Sequence, residues 1–183
     1  MKKNLLKALA CLMLMCTVWS CNSESETVMS NADNNAREFT AKDRQGIWEG
    51  EIGVADEKLT ITANRASLLY EFERLLAKKG ETVRLTSISI QQRVAVNDSL
   101  HTAYFLIANG FDNNAGMAVS SGVVLNNMGG KFYLGSPISD GDPLDVSCRG
   151  CGSGCFLKYY VIGKDRVPYC DSAGCGPICD KIE

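Results

Sequence analysis

The chain has 183 residues, with 19 basic and 21 acidic side chains and a formal net charge of −2. Charge this close to balance lacks the basic stripe that phosphate-backbone recognition requires, so nucleic acid is not an expected partner. The length accommodates one domain with a substantial core.

The chain opens on a leader. Lys2, Lys3 and Lys7 make a positive start, and Leu9 to Val18 (LACLMLMCTV) is an apolar stretch too short to span a bilayer. Val18-Trp19-Ser20-Cys21 closes it. This tetrapeptide resembles the lipobox of bacterial lipoproteins, with small Ser20 before the cysteine. The resemblance implies a signal peptide over residues 1–20, lipidation of Cys21 and attachment to the bacterial outer membrane. Each buried CH₂ contributes about 0.8 kcal/mol, so several acyl chains hold a protein stably where one does not. Asn22-Ser23-Glu24-Ser25-Glu26 resembles the acidic surface-export signals of some Gram-negative lipoproteins, and periplasmic and surface orientations both stay open. The polar run onward to Arg37 buries too little to offset its ordering entropy. Residues 21–45 therefore read as a flexible stalk. Without residues 1–20, which hold three lysines and no acid, 16 basic side chains face 21 acidic ones, a net charge of −5.

Residues 46–140 read as an α+β domain. Leu59 to Ala63 (LTITA) has strand composition, with Gly50 and Gly53 interrupting the stretch before it. Asn64 suits a helix N-cap. Leu68, Leu69, Phe72, Leu75 and Leu76 then recur with helical spacing and form one apolar face. Glu71, Glu73, Arg74, Lys78 and Lys79 fill the remainder, with the two lysines favourably placed at the negative helix end and Gly80 as the C′ residue. From Thr82 the period changes to two. Val83 to Val96 predicts a strand whose alternation shifts at Gln91-Gln92, the mark of a bulge. Asn97-Asp98-Ser99 predicts a turn, and further strands follow over Leu100 to Asn109, Met117 to Leu125 and Lys131 to Leu134. Short connections make this an antiparallel sheet, with one amphipathic helix packed on it.

The order strand, helix, four strands is similar to the cystatin arrangement of a sheet wrapped on one helix. Gln92-Arg93-Val94-Ala95-Val96 falls at the first hairpin, where cystatins carry a Gln-x-Val-x-Gly wedge, although Val96 replaces the glycine. The second hairpin, Asn126 to Gly130, has no Pro-Trp pair. The resemblance implies protease inhibition as a secondary alternative, and likeness of topology does not carry function.

Residues 141–183 form a cysteine-rich tail. Cys148, Cys151, Cys155, Cys170, Cys175 and Cys179 all lie here, and no cysteine lies between Cys21 and Cys148. Six cysteines in an exported chain predict three disulfides among 15 possible connectivities. The tail has little core of its own, so it is expected to be a stapled unit separable from the sheet, with Phe156 to Ile162 as a strand and a turn at Lys164-Asp165. A metal site or a redox pair at Cys148-Arg149-Gly150-Cys151 is the competing reading.

Other candidates carry weaker chemistry. His101, the only histidine, sits in an expected strand without an identifiable nucleophile. Asp140, Asp142 and Asp145 are clustered oxygen ligands without a full calcium-loop pattern. Phe132, Tyr133, Tyr159, Tyr160 and Tyr169 make either core or an exposed binding surface. No nucleophile elbow, phosphate-binding loop or His-Glu-x-x-His motif occurs. The expected function is therefore a non-enzymatic, membrane-anchored binding module for a protein, peptide or glycan, with no cofactor and no metal. A thiol-redox or metal-binding factor is the alternative.

Overall fold

The computed structural model describes residues 46–151, 155–172, 175 and 178–183. The expected leader, Cys21 and the stalk lie outside the described residues. Residues 46–49 are helical, and the elements that follow are β1 (Gly53–Ala55), β2 (Leu59–Ile61), α1 (Arg65–Lys78), β3 (Arg84–Val94), β4 (Thr102–Asp112), β5 (Met117–Met128) and β6 (Lys131–Leu134). The tail adds β7 (Ile138–Ser139), β8 (Asp142–Pro143), β9 (Val146–Gly150), β10 (Phe156–Ile162), β11 (Asp165–Asp171) and β12 (Asp180–Ile182). Among the described residues no helix is long and apolar enough to cross a membrane.

The helix begins and ends where its flanking residues dictate. The Asn64 side chain accepts from Ser67 N at 3.0 Å, satisfying one of the first-turn amides. At the other end Gly80 takes φ 83°, its N–H donates to Ala77 O, and Glu81 N donates to Leu76 O. This paired closure uses a left-handed residue that glycine adopts without a Cβ penalty.

Eight strands build one antiparallel sheet that curls into a half-barrel. β3 pairs with β4, and β4 pairs with β5. β5 then forks. Ala118 to Gly122 pair with β9, and Leu125 to Met128 pair with β6. The first branch continues to β12, and the second runs through β1 to β2. Short β7 and β8 pair together, as do β10 and β11.

Two apolar clusters lie on opposite sides of β4, whose alternate residues divide between them. Leu106 and Ala108 join Leu68, Phe72, Leu75 and Leu76 of α1 with Leu85, Ile88 and Ile90 of β3. Trp48 belongs to this cluster and meets Phe72 edge-on, with ring centroids 5.6 Å apart. Phe105 and Ile107 join Val146, Cys148, Leu157 and Tyr159 from the tail.

The structure departs from sequence expectation at four places. First, the register shift in β3 lies between Leu85 and Ser87, and pairing is unbroken through Gln91 and Gln92. Gly110 permits it, since a Cβ there would stand 2.2 Å from Arg84 O. Second, Gly53 does not interrupt a strand but opens β1. A Cβ would stand 2.3 Å from Thr60 O and 2.5 Å from Ile90 Cδ1, so glycine allows the sheet to curl there. Third, the polar side of α1 is not all solvated. Glu71 is fully buried and bonded to Arg74, and Glu73 Oε1 accepts from Leu85 N at 2.8 Å beside the bulge. Fourth, the tail is not separable from the sheet. β9 pairs along β5, and among the described residues Val146, Cys148, Leu157 and Tyr159 pack with Phe105 and Ile107, a core that the isolated tail would leave exposed.

Truncating the helix face tests this packing. Phe72→Ala is expected to lower stability by about 3–5 kcal/mol and Leu76→Ala by about 2–5 kcal/mol. Glu73→Ala, which strands the Leu85 N–H, is expected to cost about 1–3 kcal/mol. Urea unfolding with the disulfides intact measures all three.

Candidate functional site

The six tail cysteines form three disulfides. Cys148 joins Cys170, Cys151 joins Cys175 and Cys155 joins Cys179, with Cα–Cα separations of 5.5, 5.4 and 5.3 Å. Each cysteine bonds the one three places further on. The first bridge ties β9 to β11, and the third ties the residue before β10 to the residue before β12. Loops of 22 and 24 residues each restrict the unfolded chain by about 3 kcal/mol in the chain-entropy model, and because these loops overlap the contributions do not simply add. Cys148 and Cys151 are not bonded to each other but to Cys170 and Cys175, so the competing reading of a local Cys148–Cys151 redox pair does not match this arrangement. Arg149 binds Glu81 at 2.8 Å.

The aspartates of the tail serve the helix. Asp142 pairs with Arg74 and Lys78, and Lys79 Nζ lies 2.9 Å from Asp145 Oδ2. That same oxygen accepts from Ser121 Oγ at 3.1 Å and from Ser147 Oγ at 2.7 Å. Both serines are fully buried. Asp140 is a turn residue with φ 53°. Burial alone would raise the Asp142 carboxyl, but hydrogen bonds from Arg74 and Lys78 outweigh it and hold its pKa below the ordinary carboxylate value. Among the described residues no three His, Cys, Asp or Glu side chains converge as a metal site.

His101 lies just before β4, in the β3–β4 turn, with Nδ1 2.7 Å from Asp98 Oδ2 and its side chain 60 % exposed. Its carbonyl accepts the Tyr159 hydroxyl at 2.8 Å, which anchors the tail hairpin to this turn. Burial pushes the Tyr159 phenol above its ordinary pKa. Of the aromatic candidates, Phe132 and Tyr159 are core, whereas Tyr133, Tyr160 and Tyr169 are partly exposed. The rings of Tyr160 and Tyr169 meet tilted at 51°, centroids 5.5 Å apart, on the outer face of the β10–β11 hairpin.

Several turns gather at one end of the sheet. Asn97, in the β3–β4 turn, bonds both the N–H and the carbonyl of Val161 near the tip of the β10–β11 hairpin. Val94, Val96 and Leu100 are exposed around the β3–β4 turn, Leu100 at 91 %. The Gln92 to Val96 segment thus places two valines at the surface, while Ala95 is core.

Sequence reasoning missed a cleft of 320 Å³ beside this end. It opens where β5 forks. Val123 and Val124 lie between the β9 and β6 branches, and the Val124 backbone is satisfied by Gly135 N and Ser136 Oγ. Pro137, Leu144 and Pro168 add apolar walls, and Lys164, Asp165 and Arg166 supply charge. Only the Lys164-Asp165 pair was visible in the sequence, where it signals a turn. No family model, curated protein or solved structure matches this chain.

Two outcomes test these features. Intact mass is expected to rise by six hydrogens on reduction, and alkylation of the unreduced protein is expected to leave all six tail cysteines unmodified. The Asp142 pairing gives a pH signature. A carboxylate whose folded pKa is depressed adds stability above its unfolded pKa of about 3.9, and that stability is lost as pH falls through the folded value. Asp142→Asn is therefore expected to be destabilised at pH 7 and to show a shallower loss of melting temperature below about pH 4 than the parent chain.

Proposed function

We propose that this protein is an exported lipoprotein, held to the bacterial outer membrane through Cys21 and acting as a non-enzymatic binding module. The observation that carries the reading is the set of three disulfides within the last 36 residues. Disulfides of this density belong to oxidising compartments, which suits a chain whose leader ends in a lipobox. Residues 21–45 tether the domain. One amphipathic helix covers one face of the sheet, and the stapled hairpin covers the other. Rigid turns and a cleft then meet at one end, the arrangement by which a scaffold presents binding residues on loops. The domain binds a protein, peptide or glycan, and orientation toward the periplasm or the cell surface follows from sorting after lipidation.

Cys21→Ser is expected to abolish incorporation of labelled fatty acid and to move the protein from the membrane fraction to the soluble one. Undiminished labelling of that variant defeats the anchor.

A further inference from the structure

We propose that the cleft at the fork of β5 is a binding site for a small monoanionic carboxylate with a short apolar body. Its volume of 320 Å³ lies at the lower end of the small-ligand range. The proposal rests on the reading of the chain as a binding module and specifies the class of ligand.

Three observations converge on an oxyanion. Ser136 lines the cleft and is 9 % exposed. Its oxygen accepts the Val124 N–H at 2.9 Å, and among the described residues its own proton has no acceptor. A buried hydroxyl in that state has a donor to offer a ligand, and it gains most from an acceptor that is charged. Arg166 is the cross-strand partner of Val161, which packs into the second cluster, so the arginine stem also faces the sheet. Lys164 stands at the tip of the same hairpin. Among the described residues neither cation forms an ion pair, whereas Arg74, Lys78, Lys79 and Arg149 elsewhere in the fold all do.

The remaining lining sets the charge and shape. Asp165 offsets one of the two cations and leaves the cleft at +1. A monoanion matches that charge, and a phosphate dianion meets the aspartate with excess negative charge. Val124, Pro137 and Pro168 give the ligand body an apolar bed. A planar carboxylate also suits the guanidinium fork of Arg166. Two sources share this chemistry: a free short-chain acid and the C-terminus of a peptide.

The test uses the full chain, ¹⁵N-labelled and held in a nonionic detergent, titrated with isovalerate, isovaleramide, propyl phosphate and N-acetyl-alanyl-valine. The expected result is saturable amide shifts at Val124, Ser136 and Arg166 with isovalerate. The neutral amide should bind about tenfold more weakly, the loss of one charge-assisted contact. Lys164→Gln combined with Arg166→Gln should weaken isovalerate by at least about tenfold without changing the melting temperature, since both side chains are solvent-exposed. Raising salt should weaken binding as well. Tighter binding of N-acetyl-alanyl-valine than of isovalerate identifies a peptide terminus, and equal or weaker binding identifies a free acid. Equal shifts with acid and amide, preference for propyl phosphate, unchanged binding by the double variant, or no saturation by either carboxylate overturns the assignment. The anchor is read separately by acyl labelling, so failure of the cleft leaves that result intact, and loss of labelling leaves the titration intact.

Discussion

Burial of β4 on both faces is the constraint from which the architecture follows. Phe105, Leu106, Ile107 and Ala108 are consecutive and all buried. Successive residues of a strand point to opposite sides, so such a run demands a covering layer on each. One cluster draws its cover from α1 and from Trp48, with Leu85, Ile88 and Ile90 of β3 around them. The other draws on Val146, Leu157 and Tyr159 together with three of the bridged cysteines. A two-stranded hairpin is marginal alone. Here the Cys148–Cys170 bridge, the Cys155–Cys179 bridge just before β10 and the Tyr159 hydroxyl hold it against the sheet. The disulfides thus complete a core that the chain would otherwise leave half covered.

A second dependence runs through a polar seam. Arg74, Lys78 and Lys79 near the end of α1 meet Asp142 and Asp145, and Asp145 also receives the hydroxyls of Ser121 and Ser147. Ser121 and Ser147 are register partners across β5 and β9. Buried charges lose solvation, and their attraction offsets the loss only when every partner is satisfied. The seam therefore favours one placement of the helix end relative to the β9 branch. Once β9 is fixed on the first half of β5, β6 can pair only with the second half, and the cleft at Val124 is the gap between them.

Much of this was legible in the sequence. The helix, its Asn64 cap and Gly80 are local signals, each read from spacing or from one residue's conformational preference, and the helix begins and ends where they were expected to place it. The strand at Phe156 and the turn after it were legible for the same reason. Gly53 misled, and the strand expected to end at Asn109 runs on through Gly110 to Asp112, because a glycine reads as a breaker when its sequence neighbours alone are considered. In the fold both serve close approach: Gly53 to Thr60 of the next strand and to Ile90 of β3, and Gly110 to Arg84 and Leu85. Glu73 looked like a surface residue because nothing local announces that the Leu85 amide lacks a sheet partner. The cleft was illegible for the strongest reason: Val124, Ser136, Arg166 and Pro168 come together only through a fork in the sheet.

The sequence by itself determined the alternation of strands, the helix and its caps, the even set of tail cysteines and the expectation that they are oxidised. These follow from periodicity, from backbone preference and from composition, all of which act over a few residues. The tertiary structure decided which cysteine meets which, since 15 pairings fit the same spacing and only the positions of β9, β11 and β12 select among them. It also decided that the tail completes the sheet, because pairing of β9 with β5 depends on backbone groups and buried area that residues 117–150 acquire only when folded together.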